Sequence, residues 1–114
     1  MSVTDWNHMK TKAQNRIAKS FFGLAHPRRI RIFECLTHAP GGQMSYQKLN
    51  AELRICDSSL IHHLREMERA GLILRYRKGV TAVYRLVPDQ VLADISDVQA
   101  VCSGYQRQDA GKAA

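Results

Sequence analysis

Apolar side chains recur every three or four residues in several stretches of the chain, the spacing that lines one face of an α-helix. Trp6, Met9, Ala13, Ile17, Phe21 and Leu24 mark the first, from about Thr4 to Phe22. Ile30, Phe33 and Leu36, widened by Ile32 and Cys35, mark the second. Pro27 can open it, because its missing N–H does no harm in a first turn. Tyr46, Leu49 and Leu53 predict a short helix from Ser45, and Leu60, Leu64 and Met67 predict another from Ser58 to Ala70. Val91, Ile95, Val98 and Cys102, broadened by Leu92 and Val101, predict a last helix with Asp94 and Asp97 on its other side. Before it the pattern changes. Leu72 to Arg77 and Val80 to Leu86 read as two β arms joined through Lys78-Gly79.

Local punctuation supports these boundaries. Gly23 is read as the end of the first helix and His38-Ala39-Pro40-Gly41-Gly42 as a turn. Ser45 can cap one helix, Asp57 or Ser58 the next, and Gly71 can take the left-handed conformation that ends it. Tyr76 and Tyr84 are candidates for a cross-strand pair. Two helices joined by a short turn and followed by a hairpin are the parts of a winged helix-turn-helix. The expected fold is mainly α with a small β-hairpin wing: a winged helix-turn-helix of five helices. It occupies one domain over residues 1–103, with a flexible tail over 104–114.

Composition narrows the partners. At 45% hydrophobic and 24% charged, the 114 residues are those of an ordinary folded domain. A net charge of +7 favours a polyanion. No apolar run approaches the roughly 20 residues that span a bilayer. The start, MSVTDWNHMK, lacks the apolar core of a signal peptide. No membrane partner and a cytoplasmic location are therefore expected. Three cysteines without a paired framework fit a reducing compartment. The charge is uneven: Trp6 to Phe33 holds seven Lys or Arg and no acid, and no acid occurs between Arg69 and Pro88.

The helix after the turn presents Ser58, Ser59, His62 and His63 near its start, hydroxyls and imidazoles that can hydrogen-bond base edges in a major groove. Arg65 suits a phosphate. Arg75, Arg77 and Lys78 on the hairpin suit the flanking backbone or the minor groove. The rival reading is a solvated amphipathic helix and a solvated charge run. A basic ribbon immediately after a helix pair, where a wing would lie, favours DNA. One such helix reads too few bases for useful specificity. Two related by a two-fold axis, about 34 Å apart, would meet successive major grooves of an inverted repeat.

Four segments resemble the ArsR/SmtB family of small winged-helix transcriptional repressors. They are Leu24-Ala25-His26-Pro27-Arg28-Arg29-Ile30-Arg31-Ile32-Phe33, Leu60-Ile61-His62-His63-Leu64, Arg69-Ala70-Gly71-Leu72-Ile73 and Tyr84-Arg85-Leu86. They stand in the family's order and spacing, over roughly Phe21 to Val87. The resemblance implies a homodimer through the first and last helices that binds a double-stranded operator and is released by an inducer. Ile61 stands where the family usually has a DNA-contacting Ser, so it would meet a thymine methyl instead.

The inducer is not legible. The family's cysteine-rich metal site at the start of the helix-turn-helix has no counterpart, because Gln43 to Leu53 contains no Cys. Its Asp/His zinc site on the last helix meets Asp89, Asp94 and Asp97 but no His. Neither of those metal sites and no cofactor is therefore expected, although a metal or metalloid held by cysteines across the dimer stays open. Some relatives resemble thiol switches for reactive sulfur or oxidants, with one Cys in the second helix and one in the last. Cys35 and Cys102 occupy those helices, each one residue out of place, a rotation of about 100°. Packing is the alternative role for both. Cys56 is read as a turn residue near DNA, His26 as a cap or pocket residue, and His8 and His38 as exposed.

Enzymatic readings are thin, since no phosphate-cradling glycine loop occurs and nothing places a Cys–His pair beside an oxyanion site. The expectation is not an enzyme. The stronger rival is a winged-helix module that binds protein without recognising an operator.

Overall fold

The computed structural model describes the backbone of residues 3–113 and the side chains of residues 11–105. Among the described residues the helices are α1 (Val3–Leu24), α2 (Pro27–Thr37), α3 (Tyr46–Leu53), α4 (Asp57–Arg69) and α5 (Asp89–Ala113). The strands are β1 (Gln43–Ser45), β2 (Ile73–Lys78) and β3 (Thr81–Leu86), in one antiparallel sheet ordered β1-β3-β2. This is the expected winged helix-turn-helix, with a third strand at the base of the wing. None of the described helices is long and apolar enough to cross a membrane.

The core lies between α2, α3, α4 and the base of the hairpin. Ile32 and Leu36 meet Leu49, Leu53, Leu60, Leu64 and Met67 there, with Leu72, Ile73 and Tyr84 closing the sheet side. Gly71 adopts φ +78. It lets Leu72 N–H reach Met67 O at 3.0 Å and its own N–H reach Glu68 O at 3.0 Å, so the last carbonyls of α4 are satisfied as the chain turns into the wing.

Helix α2 is rotated relative to the expected register. Ile30 is exposed, and Arg29, a charged side chain, is buried. Ile32 and Leu36 stand four residues apart on the inner face, which puts Arg29 on that face as well. A buried guanidinium must have its donors satisfied. Arg29 Nε donates to His63 Nδ1 at 3.1 Å and Nη1 to Phe22 O at 2.7 Å, while the group lies 5.3 Å from the Phe22 ring centroid.

Gly23 does not end α1, which continues through Leu24. Its role is space: a Cβ there would lie 2.5 Å from Ala70 Cβ and 2.7 Å from Leu72 Cδ1. Glycine thus lets α1 rest on the exit of α4. Likewise Gly104 does not stop α5, which runs on to Ala113 where a frayed tail was expected. A single helical glycine costs only about 1 kcal/mol relative to alanine. Trp6, His8, Met9 and Lys10 lie outside the described side chains.

A polar tie joins α1 to α5. Asp94, expected on an outer face, is fully buried. It accepts from Ser20 Oγ, from Arg16 Nε at 2.9 Å and from Gln90 Nε2 at 3.0 Å. Arg16 also meets Asp97 at 2.6 Å. Burial alone would raise the Asp94 pKa, but the bonds from Ser20, Arg16 and Gln90 outweigh it and hold the carboxyl below its usual range. Asp94→Ala should lower the unfolding free energy by about 2–3 kcal/mol, read from urea denaturation. Asp97→Ala, which breaks an exposed pair, should cost less than about 1 kcal/mol. Equal losses would show that the buried carboxylate is not what holds α1 to α5.

Candidate nucleic-acid interface

The turn between α3 and α4 is held by side chains. Arg54 takes the left-handed conformation, φ 54 and ψ 43, at the end of α3. Asn50 Nδ2 donates to Ile55 O at 3.2 Å and to Asp57 Oδ1 at 2.9 Å, and Tyr46 Oη donates to the same oxygen at 2.6 Å. Burial, then the Asp57 carboxylate, pushes the Tyr46 phenol up to about 12, so it remains a donor at neutral pH. Ser45 caps α3 as expected, accepting from Lys48 N–H at 3.2 Å. Asp57 instead bridges the two helices, and the N-cap of α4 is Cys56.

With its start fixed in this way, α4 buries Leu60, His63, Leu64 and Met67. The burial of His63 corrects its assignment to the DNA face: it is only 5% exposed. Its place follows from the stripe, three residues after Leu60 and four before Met67. The Arg29 N–H occupies Nδ1, and the His26 ring lies 4.4 Å away, centroid to centroid. His26 itself caps α2, its Nδ1 accepting from Arg28 N–H at 3.1 Å.

The outer face of α4 carries Ser58, His62 and Arg65 exposed, with Ser59 and Ile61 half-buried. Arg28, absent from the expected site residues, donates to Ser59 Oγ at 2.9 Å and so brings a guanidinium from α2 to the start of α4. Its signal was an exposed arginine next to the cap of α2. Ile61 and Arg65 face Arg75 of β2 across a cleft of about 420 Å³, which Gln47, Glu68 and Val80 also line. Three of the residues expected from the sequence, Ile61 and Arg65 of α4 and Arg75 of β2, thus line one groove.

The hairpin turns at Gly79-Val80, one residue later than expected, because Lys78 pairs with Thr81. Gly79 has the positive φ, 66°, that this tight turn needs. Tyr76 faces Val83 and Tyr84 faces Arg75, so the two tyrosines do not pair. Tyr76 Oη donates instead to Gln43 Oε1 at 2.6 Å, fastening β2 to β1 across the sheet. Strand alternation sets Arg75 and Arg77 on one face and Lys78 on the other, where it lines a second cleft with Ser45 and Lys48. Val80 stands almost fully in solvent at the tip.

The thiols differ in chemistry. Burial, then Glu52, pushes the Cys35 pKa up. At Cys56 the Ser59 N–H and then the Ser58 hydroxyl favour the thiolate and lower the pKa. Cys102 is exposed on α5, and no disulfide joins it to Cys35. Among the described residues no three His, Cys, Asp or Glu side chains gather around a metal position.

Residues 24–76 match the family model described as a helix-turn-helix domain. No curated protein matches the chain. Among solved structures, an ArsR-like transcriptional regulator from Rhodococcus sp. RHA1 is 19% identical with a TM-score of 0.76, over 86% of this chain and 90% of that one. The chain has a winged helix-turn-helix fold, similar to that of this ArsR-like regulator. A possible transcriptional regulator for arsenical resistance is 29% identical over 69% of this chain and 78% of its own, with a TM-score of 0.58. A homodimeric winged helix-turn-helix DNA-binding domain, Mb0332 from Mycobacterium bovis, is 20% identical over 82% and 84%, with a TM-score of 0.64. The chain thus shares its fold with these proteins along most of its length.

The buried histidine makes the fold acid-sensitive. Burial first, then His26, Arg29, His62 and Arg28, lower the His63 pKa from 6.5. The unfolded chain therefore binds a proton that the folded chain refuses. Stability is full above pH 6.5 and declines as pH falls from there toward the lowered value, by at most about 1.4 kcal/mol per pH unit. Urea midpoints at pH 7.5 and 5.5 should show a larger loss for the natural protein than for His63→Asn, whose side-chain oxygen can still accept from Arg29. Equal losses would remove His63 as the cause.

Proposed function

We propose that this protein is a homodimeric transcriptional repressor that binds an inverted-repeat operator. The observation that carries the reading is the single groove where α4 and the basic hairpin meet, with Ile61 and Arg65 facing Arg75. In this reading Ser58, Ser59, Ile61 and His62 enter the major groove, where hydroxyl and imidazole groups meet base edges and Ile61 meets a thymine methyl. Arg28 and Arg65 hold phosphates beside them. Arg75, Arg77 and Lys78 hold the flanking backbone or minor groove. His63 contributes from beneath, by seating α4 through Arg29.

The dimer reading rests on surface left uncovered. Leu92, Ile95, Val101 and Tyr105 on α5, with Phe21 and Phe22 on α1, are large apolar side chains exposed in the single chain. Apolar helix faces of this extent call for a partner. The Mycobacterium bovis domain of similar fold is homodimeric, which supports this reading. A second copy would present a second α4 about 34 Å away, one turn of the duplex. Occupancy of the operator would then exclude other proteins from it, and an inducer that weakens binding would lift repression.

Duplex binding across a salt series tests the assignment. Lys78→Ala should weaken binding to all duplexes alike and reduce the slope of log K against log salt by about 0.9 per chain. His62→Ala should shift the preferred base at one position of each half-site and leave that slope unchanged. An unchanged slope for Lys78→Ala would contradict the role of the wing, and salt-insensitive binding would favour a protein-binding module.

A further inference from the structure

We propose that Cys35, His38 and Met44 form a binding site for a soft monovalent cation, copper(I) or silver(I), at the junction of α2 with β1. Cys35 Sγ lies 3.9 Å from Met44 Sδ. Two sulfurs bound at about 2.3 Å to one ion stand about 3.8–4.0 Å apart in tetrahedral or trigonal coordination. At that distance the thiol donates to the thioether and both side chains pack against the core, so the two sulfurs are held at a separation that a shared ion would also adopt.

His38 follows Cys35 by three residues, at the end of α2, which puts both on one side of the helix. Its Nδ1 lies 2.9 Å from Glu34 O. A carbonyl only accepts, so Nδ1 carries the proton and Nε2 keeps a free lone pair. A ligating histidine is usually held this way, by its other ring nitrogen on a backbone carbonyl. Cys35, His38 and Met44 line one cavity of about 270 Å³, with Lys48 and Glu52 of α3 at its edge. Glu52 adds negative charge beside the thiol, while Lys48 and Arg31 oppose it.

The donor set selects the ion. A thiolate, a thioether and an imidazole suit copper(I), and a thioether adds nothing for zinc. Binding replaces the thiol proton with the ion and releases that proton to solvent, with no change of oxidation state. The site is one strand away from the wing, because Met44 pairs with Tyr84 of β3.

The test uses the full chain carrying Cys56→Ser and Cys102→Ser, reduced and kept free of oxygen, so that Cys35 is its one thiol. Copper(I) is titrated in competition with the chromophoric chelator bicinchoninate. The chain should withdraw one copper(I) from the chelator, and Cys35→Ser should abolish the withdrawal. Met44→Leu and His38→Gln should each weaken it by about tenfold or more. Circular dichroism checks that each variant stays folded; Leu nearly matches Met in volume, and His38 is exposed. A chain that fails to compete would overturn the proposal. So would binding that Met44→Leu leaves unchanged. No DNA enters the titration, so its outcome is independent of the operator reading.

Discussion

One helix has to satisfy two surfaces at once. α4 buries Leu60, Leu64 and Met67 against α2 and the wing, and its remaining face is the one that can meet a duplex. The rotation of α4 about its axis therefore decides which side chains are presented. Apolar packing alone leaves some freedom in that rotation. The bond from Arg29 to His63 removes it, because turning α4 away would strand a buried guanidinium and a buried imidazole. At the other end Asn50 and Tyr46 hold Asp57, so the start of α4 is fixed by α3. Ser58, His62 and Arg65 face outward as a consequence of what their neighbours bury.

The same logic holds at the far side of the molecule. α1 and α5 share a buried carboxylate, Asp94, satisfied by Arg16 and Ser20 from α1 and Gln90 from its own helix. A polar tie of this kind sets the angle between two helices more strictly than interchangeable aliphatic contacts can. The exposed apolar residues of α5 then form a surface of defined shape. In the proposed dimer the spacing of the two α4 helices would have to match the duplex, so the α1–α5 pair would bear on which DNA sites fit.

Much of this was legible in the sequence. Helical periodicity found the helices, Gly71 and Gly79 marked turns that need positive φ, and four short segments pointed to the family fold. What escaped depends on long-range contact. β1 is three residues long and exists only because β3 pairs with it. Arg29 reads as a surface residue until its partners His63 and the Phe22 carbonyl are in place, and Asp94 until Ser20 and Arg16 are. His63 could have been found from its position in the stripe of Leu60 and Met67, against the habit of placing imidazoles in solvent. The convergence of Arg65 with Arg75 and the approach of Cys35 to Met44 join residues far apart in the chain, which spacing alone cannot reveal.

Selection from a pool of randomised duplexes asks whether the outward face of α4 reads sequence in two symmetric copies. An inverted repeat whose half-site centres lie about one helical turn, 10–10.5 base pairs, apart should be enriched. Retention of duplexes without any shared sequence, or of a single unpaired half-site, would contradict it.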